Sequence, residues 1–111
     1  MKKLIAILLC APCMAYAEFW TGNMLLHRIN STEFWDRGTA LGYILGVSDT
    51  GQNATHCSGS QVTAGQTRDV VKQYLEQNPS VRDISADVLV TIALGQAFPC
   101  PKDKKKSGAK S

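Results

Sequence analysis

Residues 63–79 read TAGQTRDVVKQYLEQNP, and this stretch decides the class of the fold. Thr63 and Gln66 stand at the spacing of a capping box, in which the hydroxyl accepts from the backbone of the third helical residue and the amide side chain reaches back to the cap. Behind them Val70, Val71, Tyr74 and Leu75 recur at intervals that line one face of a helix. Pro79 stops the pattern, because its ring cannot continue a helical turn. The spacing predicts one amphipathic helix ending before Pro79.

Similar signals recur on either side. Thr21 or Asn23 can cap a short first helix carrying Met24, Leu25, Leu26 and Ile29, broken by Asn30 and Ser31. Thr32 can cap a second, with Glu33 and Asp36 in a first turn where the helix dipole favours acids. Its apolar set is Phe34, Trp35, Leu41, Tyr43, Ile44, Leu45 and Val47, and it should end near Asp49 to Gly51. After the capping-box helix, Ser85 can cap a fourth with Asp87 in its first turn. Val88, Leu89, Ile92, Ala93, Leu94 and Phe98 are its expected buried set, and Pro99 its stop. The result is an all-α fold, a small bundle of about four helices.

The ends of the chain are of another character. Lys2 and Lys3 precede an apolar run from Leu4 to Leu9, and Ala15, Tyr16 and Ala17 give a small-x-small cleavage pattern before Glu18. Residues 1–17 therefore read as a cleaved signal peptide; a retained anchor would need about 20 apolar residues. Nothing else in the chain is long and apolar enough to cross a membrane. Residues 18–100 then form one domain, and residues 101–111, with five lysines, read as a solvated, disordered tail. The formal charge of +3 conceals a division, since residues 18–100 carry five basic against eight acidic residues. An acidic body with a short basic tail, exported from the cytoplasm, excludes nucleic acid as the expected partner.

Of the four cysteines, Cys10 and Cys13 leave with the signal, and Cys57 and Cys100 remain as an even pair in an oxidising compartment. They are expected to form a disulfide. No catalytic motif is present: neither a zinc-protease helix, nor a nucleophile elbow, nor a phosphate-cradling glycine loop. His56 beside Cys57 is a weak catalytic pair, because nucleophile and base must be neighbours in space rather than in sequence. Cys57, Cys100, His27 and His56 match no metal-site spacing. No cofactor, metal or enzymatic activity is expected.

Two features remain for binding. Gly38, Gly42 and Gly46 fall four apart on the second helix, although each costs a helix about 1 kcal/mol relative to alanine. Close approach of another helix within the monomer is the expected compensation, with a homodimer seam as the alternative. Trp20, Phe34 and Trp35 could anchor a partner, but helical spacing assigns Phe34 and Trp35 to the core.

The ordered blocks GYILGVSD (42–49), Cys57, VTAGQ (62–66), VVKQYL (70–75), Asn78-Pro79 and AFPCP (97–101) resemble the Rap/Tai-type immunity domain. The resemblance runs from about Met24 to Pro101. Members of that family include periplasmic proteins that protect bacteria from peptidoglycan amidases delivered by type VI secretion systems. It implies a noncatalytic periplasmic inhibitor that occludes an amidase's active site, and it adds family habit to the homodimer alternative. The family commonly carries two further cysteines where this chain has Ile29 and Ala40, as though apolar packing had replaced a whole bridge. The loop between Ser48 and Val62 is the expected contact, with Asp49, Gln52, Asn53, His56 and Ser58 as its polar contributors; the alternative places the contact on a helix face. A rival function is that of a phage- or prophage-encoded envelope protein in superinfection exclusion or lysis control.

Overall fold

Thr21 opens the first helix, α1 (Gly22–Ile29), by accepting from the Met24 N–H at 3.2 Å. The computed structural model describes residues 19–102. The expected signal peptide and all but the first two residues of the basic tail lie outside the described residues. The chain continues through α2 (Phe34–Gly51), α3 (Ala64–Gln77), a single 3-10 turn at Pro79–Val81, and α4 (Ala86–Ala97). The all-α expectation of about four helices holds, and every helix packs against every other.

Local chemistry sets most of the boundaries. The capping box at α3 is complete: Thr63 Oγ1 accepts from the Gln66 N–H at 3.0 Å and Gln66 Oε1 from the Thr63 N–H at 3.5 Å. At α2 the cap is Glu33 rather than Thr32, because Ser31 Oγ accepts from the Glu33 N–H at 3.0 Å and donates to Asp36 at 2.8 Å. Ser85 caps α4 by position, but its hydroxyl donates to the Asp87 carboxylate rather than accepting from the backbone.

The core takes Leu25, Leu26 and Ile29 from α1, Ala40 and Ile44 from α2, Val71 and Leu75 from α3, and Leu89, Val90, Ala93 and Leu94 from α4. Ile29 and Ala40, which stand where the family commonly has cysteines, are both buried in this one cluster. A backbone clasp joins the starts of α1 and α4: Gly22 N–H donates to the Ile84 carbonyl at 3.0 Å, and Ala86 N–H to that of Trp20 at 2.7 Å. Trp20 stacks on Tyr43 with ring centroids 4.8 Å apart, and the Arg28 guanidinium lies 4.6 Å above the Trp20 ring. Arg28 also pairs with Asp36 at 3.3 Å, so α1 is fastened to α2 on its polar side.

Three expectations fail. Phe34 and Trp35 are not core; they are 80% and 79% exposed. The buried face of α2 passes through Ala40 and Ile44, and continued backward by one turn it reaches Asp36, leaving Trp35 on the far side and Phe34 at the flank over the α2/α3 seam. Val88 and Ile92 are likewise exposed, since the buried stripe of α4 runs through Leu89, Val90, Ala93 and Leu94. The glycine face of α2 packs against nothing: a Cβ at Gly38, Gly42 or Gly46 would meet no atom within 4 Å. Close intramolecular approach occurs instead at Gly22, where a Cβ would stand 3.0 Å from the Arg82 carbonyl oxygen, and at Gly95, 3.0 Å from that of Thr55.

Candidate functional site

Beyond α2 the chain turns back on itself through residues 52–63. Gly51 makes that reversal possible, because a Cβ there would stand 2.5 Å from Thr55 Oγ1 and 3.3 Å from His56 Nδ1. The Gly51 carbonyl accepts from the N–H groups of Ala54 at 2.9 Å and Thr55 at 2.8 Å. Asn53 adopts φ 67°, a left-handed conformation that asparagine tolerates, and donates its N–H to the His56 carbonyl at 2.7 Å. The far limb is pinned twice: Cys57 N–H donates to the Phe98 carbonyl at 2.7 Å, and Cys57 is disulfide-bonded to Cys100 with a Cα separation of 4.8 Å. The expected Cys57–Cys100 pairing is therefore present, and it removes the thiol that a His56–Cys57 catalytic pair would require.

A side-chain clasp closes the mouth of the loop. Gln52 Nε2 donates to the Ser58 carbonyl at 2.8 Å, and Ser58 Oγ donates to Gln52 Oε1 at 2.9 Å. Beneath it His56 is 1% exposed and shares a 3.4 Å hydrogen bond between its Nε2 and Ser48 Oγ. Burial pushes its imidazole pKa below the ordinary histidine value, which keeps the ring neutral.

Between the loop, the C-terminal turns of α2 and the first turn of α3 lies an open hollow of about 400 Å³. Leu45 and Val62 are its half-buried apolar lining, Thr67 is buried at its edge, and Ser48, Asp49, Gln52, Ser58 and Ser60 supply its polar lining. Of the five residues expected to contact a partner, three line this hollow: Asp49, Gln52 and Ser58. Asn53 stands outside it at the exposed turn, and His56 is buried as part of the loop's own interior. Ser48 and Ser60 were not anticipated. The signal for Ser48 was available, since Leu45, Ser48, Asp49 and Gln52 fall on one face of α2; Ser60 is brought in only by the loop's path.

Chemically the hollow offers hydroxyls, an amide and one carboxylate. These can hold a partner by hydrogen bonds and a single ion pair. Among the described residues no group of three histidines, cysteines or acids could hold a metal ion, and no helix is long and apolar enough to cross a membrane.

No curated protein matches this chain. A family model described as Rap1a immunity proteins matches residues 11–100, which include the whole helical bundle, the loop and both bonded cysteines. With that match over most of its length, the chain belongs to the Rap1a immunity proteins, a family of non-enzymatic inhibitors.

Proposed function

We propose that this immunity protein acts in the periplasm, after loss of residues 1–17, by binding a peptidoglycan amidase delivered by a type VI secretion system and covering its active site. The observation that carries this reading is the preorganised loop. Hydrogen bonds to the Gly51 and His56 carbonyls hold its turn, its far limb is pinned by the Cys57–Cys100 bond, and its mouth is clasped by Gln52 and Ser58. A surface already fixed in its binding shape loses little conformational entropy on association. Asp49, Gln52 and Ser58 are the contacts on this reading, whereas His56 and Asn53 shape the loop that carries them.

The test is a pull-down with residues 18–111 as bait and purified type VI amidases as prey, followed by a cell-wall hydrolysis assay with and without the bait. Capture and inhibition of an amidase are expected, with weaker inhibition by Cys57→Ser. If every amidase supplied stays fully active and unbound, the amidase reading is wrong, and the envelope role in phage exclusion or lysis control takes its place.

A further inference from the structure

The loop hollow does not end at Asp49. Farther along the same side of α2 a second hollow, of about 430 Å³, lies over the seam between α2 and α3. Its floor is Ile29 and Leu41, and its cationic lining is Arg37 from α2 with Arg68 and Lys72 from α3. Leu41 of this hollow and Leu45 of the first are one helical turn apart on α2, as Arg68 and Ala64 are on α3, so the two hollows form one groove along the α2/α3 seam. From Phe34 to Gln52 its α2 wall spans about 27 Å at ~1.5 Å per residue.

Charge is segregated along this groove. Three of the five basic residues in residues 18–100 lie at one end, although that part of the chain is acidic overall. Asp69 also lines this end and pairs with Arg68 at 3.0 Å, and Glu76 pairs with Lys72 at 2.9 Å, so three cations face one carboxylate there; both pairs are solvent-exposed, which holds their members weakly. Arg37 makes no salt bridge among the described residues and donates only to the Ser31 carbonyl at 3.1 Å. At the other end Asp49 is exposed and has no cationic partner among the described residues. Phe34 stands exposed in the lining of the basic end, and the bare glycine face of α2 presents no side chain that would hold a second backbone away.

We infer that this groove receives an amphipathic helix of the partner protein, with its acidic end on Arg37, Arg68 and Lys72, its apolar face on Leu41 and Leu45, and its basic end on Asp49. An acidic N-terminus and a basic C-terminus are the charge order that a helix's own dipole favours, so the groove fits an ordinary helix lying parallel to α2. The inference rests on the inhibitor reading and extends it from the loop to the whole seam.

The experiment measures the affinity of residues 18–111 for a purified type VI amidase by calorimetry, alongside Gly38→Leu, Arg37→Glu and Asp49→Lys. Circular dichroism and the denaturation midpoint serve as controls for folding. Gly38 lines the groove and a Cβ there meets no atom within 4 Å, so Gly38→Leu fills the seam without disturbing the core. Each variant is expected to bind at least about tenfold more weakly while remaining folded. Wild-type affinity in all three, together with loss on Gln52→Ala, would overturn the groove and leave the loop as the contact. A wild-type dimer that Gly38→Leu turns into a monomer without loss of amidase binding would give the face to a second copy instead. If the wild-type chain binds no amidase, the amidase reading fails and the groove inference falls with it.

Discussion

His56 shows how one side chain ties the loop to the fold. It is enclosed beneath the loop with Ser48 as its hydrogen-bond partner, and burial lowers its pKa from the ordinary value of 6.5. The unfolded chain therefore takes up a proton at a higher pH than the folded chain does. Stability is full above about pH 6.5 and falls as the pH drops from there toward the lowered folded pKa. Urea denaturation at pH 7.5 and at pH 5 should show a lower midpoint in acid, and His56→Gln should abolish most of that difference; an unchanged difference would assign the acid sensitivity elsewhere. Gly51 is the neighbouring constraint. Gly51→Ala forces a methyl group against Thr55 and His56, and should cost on the order of 1–3 kcal/mol in the same assay.

Among the elements, α2 is where sequence and structure part most informatively. It begins one residue later than Thr32 as cap would place it, because Ser31, not Thr32, supplies the oxygen that accepts from the cap residue Glu33. Apolar residues occur all round α2, so periodicity does not say which of them face inward: Trp35 lies away from the core, and Phe34 stands exposed at its edge over the α2/α3 seam. The capping box and single apolar stripe of α3 left no such freedom, and that helix was fully legible. The glycines give a quantitative check. A glycine packed against another helix resists substitution, whereas one facing open space carries only its conformational cost. Gly38→Ala and Gly42→Ala should therefore each raise stability by about 0.5–1 kcal/mol. Gly22→Ala should lower it, since the added methyl group would meet Leu89 and the Arg82 backbone.

At the scale of the molecule, the disulfide is legible because Cys10 and Cys13 fall in the stretch that reads as a signal peptide and leave one pair, Cys57 and Cys100, while the shape of the site is not. No spacing rule brings Arg37 beside Lys72, or Ser60 beside Asp49; only the packing of α2 on α3 and the return path of the loop do so. The same bond that pins the loop also restrains the whole chain, since its ends lie 43 residues apart and the closed loop includes all of α3 and α4. Chain-entropy arithmetic for a loop of that length gives roughly 4 kcal/mol as an upper estimate. That is comparable to the whole stability of a small domain, whose helices each depend on the others for burial. Replacing both cysteines with serine should therefore loosen more than the loop. Native-state hydrogen exchange is expected to show α3 and α4 losing protection together with residues 52–63. If faster exchange stays confined to the loop while the helices keep their protection, the bond acts only as a local clasp, and the stability of the bundle comes from its apolar core alone.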